Sequence, residues 1–527
     1  MKLLLLSLQS NSYITGLKSV AASARAQGHD VKILLLPGYL ESRLSPAITE
    51  FIQNFNPDLI GIGLMSIEFY PAKNISRLIR ERFDIPIIWG GVHAILKPEE
   101  CLKFADYICY GEGERAVVSL LEHLETKGRG VVPDIPNVWT TDNGEICRQP
   151  VSPPETYLDS IPCQEYVPDY FYGFHKNKIY NFAENQRLYR KYALYGGTCH
   201  MMVTTRGCPF TCSYCGNSTF TAVYGHGIRK RSVANVIAEL KEVKKNPYVL
   251  YINIQDDCFF VHSREWIIEF CREYKKHINL PFLVRVIPTM MDEETLRLLR
   301  DAGLSWIVMG IQSGSDRVNI EIYNRKVRFR SVEKAAALIA QTGAAPFYEM
   351  IVDNPYETEA ERIETIQGIS GLKKPYTVSL AHLTFFPGTP LSERAVKDNI
   401  TTQDAYLYRY IVKIDKTYLN RLLDITPYIP QRLVRFFNKP QAKRTLMHRV
   451  LLRVLVPVVK RSVEPAVYFF ITTRALNYNV SWTVRTVRGG WRSAISRVIF
   501  NFLGKGDLEY DRKLAWARKN MPALFEN

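Results

Sequence analysis

Three cysteines, Cys208, Cys212 and Cys215, stand in the run Thr204-Thr205-Arg206-Gly207-Cys208-Pro209-Phe210-Thr211-Cys212-Ser213-Tyr214-Cys215-Gly216-Asn217 and offer a C-x3-C-x2-C set of thiolates. A 4Fe-4S cluster normally takes four cysteines, so a three-cysteine loop leaves one iron open to a substrate or cosubstrate. A structural zinc site is the competing chemistry, and it prefers four closed ligands, often as two C-x2-C pairs. Cys199 and His200 offer a fourth ligand, but no second pair occurs, and the strand-like run 201–205 leads straight into the loop. Ten cysteines in 527 residues are too sparse for a secreted disulfide scaffold, so the expected compartment is reducing.

Two strand-helix series must position these cysteines. From residue 1 to about 125 apolar strands alternate with amphipathic helices, beginning with 2–8, 16–27 and 31–35, which predicts a doubly wound parallel sheet with right-handed crossovers. Ligands of such sheets bind beyond the carboxyl ends of the strands. The turns there are small or polar: Ser10-Asn11-Ser12, Met65-Ser66-Ile67, Gly90-Gly91-Val92-His93 and Gly111-Glu112-Gly113-Glu114. No G-x-G-x-x-G follows the first strand, so an ordinary dinucleotide site is poorly supported. A flavodoxin-like adaptor without ligand is the alternative for this domain. Residues 136–195 read as a connection, whose tyrosines at 166–195 either pack with a wet hydroxyl or line an entrance. A second series then places strands at 201–205, 249–255, 282–287, 306–311, 347–353 and 377–386, a parallel barrel whose site lies at the strands' C-terminal ends. Asp256-Asp257, Arg285, Gln312-Ser313-Gly314, Asp353-Asn354-Pro355 and Pro387-Gly388-Thr389-Pro390 fall at those ends.

With Tyr214 just before the third cysteine, the loop resembles that of radical S-adenosylmethionine (SAM) enzymes. The resemblance implies a partial, six-unit barrel and an open iron that chelates the amino and carboxylate groups of SAM. An electron from an external donor then cleaves SAM to a 5'-deoxyadenosyl radical. The backbone of Gln255, Asp256 and Asp257 matches the segment that binds the SAM amino group. Gly310-Ile311-Gln312-Ser313-Gly314 matches a motif touching its ribose and carboxylate, with Gln312 where the family often has glutamate. Asp256 and Asp257 equally suit a helix cap, and Arg285 is either an interior ion-pair partner or a carboxylate binder. The domain ahead of the barrel looks like the cobalamin-binding domain of the cobalamin-dependent branch, in which the turns carrying Ser10, Ser66, Gly90, Gly91, Gly111 and Gly113 cradle the corrin and its nucleotide tail. The D-x-H-x-x-G motif is absent, with His29 and Asp30 in reversed order, as in the members that hold cobalamin without a lower imidazole. His93 reads as a hydrogen-bonding residue rather than a cobalt ligand.

The expected organisation is α/β: a doubly wound, Rossmann-like cobalamin-binding domain over 1–135, a linker over 136–195, a partial (β/α)6 TIM-type radical SAM barrel over 196–400, and a basic helical region over 401–527. That last region carries 23 Lys and Arg against 8 Asp and Glu, and so nearly all of the chain's formal charge of +16. Its cations interleave with apolar residues in 449–461 and 491–503, which suits helices lying in a membrane interface. A lid that closes the barrel mouth is the equal reading, and nucleic acid the weaker one. No run reaches the roughly 18 to 20 apolar residues of a spanning helix, and the apolar N-terminus reads as a buried strand rather than a signal peptide. The chain is therefore expected in the cytoplasm, with contact at the inner face of the membrane through 401–527. The resemblance implies a methyltransferase acting on an unactivated carbon of a small hydrophobic or lipid-like substrate. A cyclase or rearrangement enzyme with the same cofactors, or a non-enzymatic cobalamin- or cluster-responsive binding protein, is the alternative.

Overall fold

Strand β1 (Lys2–Ser7) is the centre of the first sheet because four successive leucines, Leu3 to Leu6, are all buried, the pattern of a parallel strand covered on both faces. It pairs in parallel with β2 (Asp30–Leu35) on one side and β3 (Leu59–Gly63) on the other. Beyond β3 lie β4 (Ile87–Gly90) and β5 (Tyr107–Cys109), also parallel. The chain direction of winding reverses between β1 and β3, which opens a crevice at their carboxyl ends. Leu3 and Leu5, with Val31, Ile33 and Leu35, pack under the helices Thr15–Ala26 and Gly113–Lys127. The computed structural model describes residues 1–402, 414–487 and 505–525.

The segment 136–195 is not a linker. It forms β6 (Val138–Asp142), β7 (Glu145–Cys147), β8 (Phe171–His175) and β9 (Lys178–Asn181), which extend the sheet to nine strands in the order β7-β6-β5-β4-β3-β1-β2-β8-β9. Both additions are antiparallel hairpins with two-residue turns, Asn143-Gly144 and Lys176-Asn177, whose four φ angles are all positive. Asn-Gly is the strongest short hairpin signal in a sequence. Lys176-Asn177 carries no glycine and gives no such signal. Tyr170 and Tyr189 of this segment are buried against β1 and β2 residues, and the Tyr166 hydroxyl donates to the Gly197 carbonyl at 2.8 Å, so these tyrosines are packing with a satisfied hydroxyl.

The second unit is a parallel half-barrel of six strands in chain order: β10 (Cys199–Met202), then, after the short antiparallel pair β11 (Thr205–Arg206) and β12 (Arg229–Lys230), β13 (Tyr251–Ile254), β14 (Phe282–Val286), β15 (Leu304–Gln312), β16 (Ala345–Val352) and β17 (Thr377–His382). The intervening helices begin where side chains satisfy their first amides: Ser263, Asp292 and Thr358 each accept from the backbone three residues on, and Glu361 returns the bond to Thr358, a reciprocal cap. Helices Tyr418–Ile425, Gln431–Phe437, Leu446–Val458 and Glu464–Ala475 belong to this unit, whereas helix Lys505–Asn520 belongs with Met1–His200. The C-terminal region is thus divided between the units rather than forming one domain. Its second interleaved run, 491–503, lies outside the described residues.

At the turn after β4, Gly91 holds φ +93°, and a Cβ there would stand 2.8 Å from the Leu64 carbonyl oxygen. Gly91→Ala is therefore expected to cost about 2 kcal/mol through backbone strain and overlap together, read as a lowered unfolding midpoint in urea.

Candidate functional site

The cysteine loop is fixed from both ends. Gly207 has φ +104°, and a Cβ would sit 2.7 Å from the Gly227 carbonyl oxygen, so glycine alone lets the arm after β11 pass this close to the arm before β12. Past the loop, helix Gly216–Tyr224 starts with Cys215 at its N-cap, where the free amides and the dipole favour a negative ligand. In between, the Ser213 amide donates to the Tyr323 carbonyl at 2.9 Å, its hydroxyl to the Ile322 carbonyl at 2.6 Å, and Ser213's own carbonyl accepts from the Leu391 amide at 2.9 Å. The side-chain amide of Asn324 donates to the Thr211 carbonyl at 3.1 Å. Burial pushes the Cys208 thiol up to about 12 and that of Cys215 to about 11, so both remain protonated until a metal replaces the proton.

Cys208, Cys212 and Cys215 line one cavity, about 570 Å3 of space open to solvent, together with Tyr214, Asn217, Asp257, Arg285, Gly310, Gln312, Arg325 and Glu349. Among the described residues no three His, Cys, Asp or Glu side chains converge on a single ion, and neither Cys199 nor His200 lines the cavity. Three thiols spread around a cavity suit a multi-iron cluster, in which each cysteine meets its own iron. Arg325, 5% exposed, donates to the Gly310 carbonyl at 2.8 Å and places Nη1 4.0 Å from Cys212 Sγ. Arg285 donates through Nη1 to both oxygens of Glu349 at 2.9 and 3.0 Å, and through Nε to Gln255 Oε1 at 3.0 Å. It is an ion-pair partner whose pair faces the cavity. Burial raises the Asp257 carboxyl, and a bond from Asn217 partly offsets this.

The side chains of two residues expected at the cofactor are engaged within the protein, which leaves the expected backbone contacts untouched. The Asp256 carboxylate is fully enclosed and accepts from the amides of Thr204 and Thr205 at 2.6 and 3.0 Å and from the Thr204 hydroxyl. It ties the end of β13 to the segment after β10, leaving only its backbone for a ligand. It is not a helix cap either, since Ser263 caps the next helix. The Ser313 hydroxyl donates to Glu357 at 3.0 Å and is buried, so its backbone alone is available. Gln312 does line the cavity, in the left-handed region at φ +69°. Sequence reasoning passed over Arg325 and Glu349. Glu349 left a signal, a carboxylate in the otherwise apolar Pro346 to Val352. Arg325 left none.

In the first unit the predicted residues lie at the carboxyl ends of the parallel strands. Ser10 follows β1 and is exposed, while Ser66 follows β3 and is buried. Ser66 Oγ lies 3.1 Å from His93 Nδ1. His93 is fully buried, its ring edge-on to Phe69 at 4.9 Å, and burial lowers it to about 4, so it is a neutral packing residue without access to a metal above the sheet. Gly90 and Gly91 follow β4. Gly111 after β5 has φ +154°, and a Cβ would meet the Asn137 side chain at 2.8 Å. Gly113 starts the last helix of the sheet. These glycines stand where a side chain would meet neighbouring protein, in turns at the carboxyl ends where such sheets bind ligands. Glu68, in the turn after β3, accepts from the Met65 amide at 2.9 Å, and burial pushes its carboxyl up to about 7.

Comparison with known proteins agrees with both halves. A model of the B12 binding domain matches residues 1–121, and one of the Radical SAM superfamily matches 202–369. The chain is 25% identical to an uncharacterized methyltransferase of Pyrococcus horikoshii, over 73% of this chain and 79% of the relative. It is 24% identical to an anaerobic magnesium-protoporphyrin IX monomethyl ester cyclase of Rubrivivax gelatinosus (70% and 64%) and to a hopanoid C-3 methylase of Methylococcus capsulatus (75% and 70%). Its fold is similar to that of the cobalamin-dependent SAM radical enzyme OxsB with aqua-cobalamin bound, with TM-score 0.64 at 14% identity over 94% of this chain and 81% of that one.

Two measurements check the site. Replacing Cys208, Cys212 and Cys215 together by Ala is expected to take the iron content of the anaerobically reconstituted protein from about four per chain to near zero, by colorimetric iron assay. Glu68→Gln tests the buried carboxyl in the first unit. A carboxyl whose folded value lies above its unfolded one favours the folded state only when protonated. Wild-type stability relative to Glu68→Gln should therefore fall as pH rises from 4.5 to about 7, by about 3 kcal/mol in total, and stay level above that. Urea titrations at several pH values would show it.

Proposed function

Since the chain belongs to the cobalamin-dependent radical SAM enzymes, with a B12-binding domain ahead of a radical SAM domain, we propose that it is a methyltransferase acting on an unactivated carbon of a hydrophobic, lipid-like substrate. The observation that carries this reading is the joining, in one chain, of a three-thiol cavity with a doubly wound sheet whose winding reverses between β1 and β3. The cofactors are a 4Fe-4S cluster, SAM and cobalamin, which when bound supply reductive cleavage of SAM and a cobalt-carried methyl group.

Cys208, Cys212 and Cys215 would hold the cluster and leave its fourth iron facing the cavity. Arg325 sets a buried cation beside Cys212 and so offsets the negative charge that three thiolates add. Gln312 would accept from a ribose hydroxyl through its amide oxygen. The paired Arg285 and Glu349 present charge of both signs on the opposite wall, where an amino acid zwitterion is matched. Tyr214 packs edge-on against Tyr323 at 5.0 Å and closes the cavity beside the cluster loop. The hopanoid methylase among the relatives supports methyl transfer to a lipid-like carbon. The cyclase supports a second reading in which the same cofactors close a ring.

Anaerobic turnover with a strong reductant, methyl-deuterated SAM and a hydrophobic extract separates the readings by mass spectrometry. Methyl transfer is expected to give both 5'-deoxyadenosine and S-adenosylhomocysteine, with three deuterons in the product. Label-free product that has lost hydrogen would make the enzyme a cyclase, and absence of 5'-deoxyadenosine would leave a binding protein.

A further inference from the structure

Between residues 431 and 463 the chain has nine Lys and Arg and neither Asp nor Glu. Arg444 is paired with Glu359, and Lys460 with Asp424 and Glu464. The other seven cations of this stretch are exposed. Helix Leu446–Val458 runs through it with its polarity inverted. His448 and Leu452 are buried, whereas Leu446, Met447, Val450, Leu451, Val454 and Val458 are exposed, Leu446 to 77% and Val454 to 61%. Positions three and four residues apart share one side of a helix, and such spacings link all six into a continuous apolar strip. Arg449 and Arg453, one turn apart, stand along one edge of it. The neighbouring helix Gln431–Phe437 also exposes Leu433 and Phe436, and its Phe436 ring stacks on His448 at 4.7 Å and so ties the two helices together.

Such a face must be covered by something both apolar and anionic. A second copy would set this cationic face against an identical one, since two-fold pairing joins a patch to itself. Nucleic acid would answer the charge and leave the aliphatic strip in water. An anionic bilayer answers both, with aliphatic side chains entering the acyl boundary while arginines meet headgroup phosphates. No described helix is long and apolar enough to cross a membrane, so the contact is one of lying on the surface. We propose that helices Gln431–Phe437 and Leu446–Val458 form a docking face for an anionic lipid bilayer. The face would bring the barrel to a lipid surface whether or not the substrate is itself a lipid.

Vesicle cosedimentation of the full-length, cluster-reconstituted protein tests this. Binding is expected to vesicles of phosphatidylcholine with phosphatidylglycerol, to weaken with added salt, and to be near absent with phosphatidylcholine alone. Val450→Glu with Val454→Glu should lower the partition coefficient at least about tenfold while iron content and elution volume stay as in wild type. Arg449→Gln with Arg453→Gln, which leaves the apolar strip and its packing intact, should weaken binding and flatten its salt dependence. Equal binding to neutral vesicles, failure to bind anionic ones, or binding unchanged in both variants would overturn the proposal. So would a wild-type dimer that the glutamate variant splits, or binding of RNA in place of vesicles, each of which assigns the face to another partner.

Discussion

Three sulfur ligands that must become anions line one cavity and are themselves partly or wholly buried. Burial opposes the charged form, and it holds Cys208 and Cys215 well above an ordinary thiol. Charge of the other sign has to be near, and it must be buried too. The chain meets this with Arg325 beside Cys212 and with the amino end of helix Gly216–Tyr224 at Cys215. Much of the local structure follows. Arg325 is held by the Gly310 carbonyl, and a side chain at 310 would stand 3.3 Å from the guanidinium and 2.6 Å from Gln312. The turn that carries Arg325 also supplies the Tyr323 and Ile322 carbonyls that fasten Ser213. One short segment therefore sets both the charge and the position of the loop it neutralises.

Legibility in the sequence tracks how local each feature is. The cysteine loop reads from spacing alone, because its three ligands lie within a single turn of irregular chain. The strands read from apolar runs, and their order follows from parallel crossovers that wind one way along the half-barrel and reverse at β1 in the first sheet. The hairpins β6-β7 and β8-β9 did not read as strands. Their residues are short and half-exposed, and one turn lacks the glycine that marks such turns. Arg325 stands 110 residues beyond Cys215 and joins it only through the half-barrel, so no local pattern points to it. Asp256 and Ser313 were correctly placed at strand ends, but sequence position says nothing of which way a side chain turns, and both are spent on neighbouring segments.

Division of labour between backbone and side chain differs in the two units. At the β1/β3 crevice the rim is glycine and small hydroxyls, and the one imidazole nearby is enclosed and neutral. In the half-barrel the cavity wall is charged, and each charge is tethered across strands, as Arg285 on β14 is to Glu349 on β16 and to Gln255 just past β13. An ion pair that reaches across β15, with a hydrogen bond to the neighbouring strand end, holds the spacing of the wall as well as its polarity.

Six strands in an open row have two terminal edges, β10 and β17, that do not pair with each other. A closed barrel can widen only by breaking rungs of its own ladder, each a backbone hydrogen bond with no water at hand to replace it. An open row can flare instead. Small changes of twist between neighbours sum across it, and every rung is kept. The wall is braced where Arg285 ties β14 to β16, and toward its two unpaired edges a change of twist costs no rung.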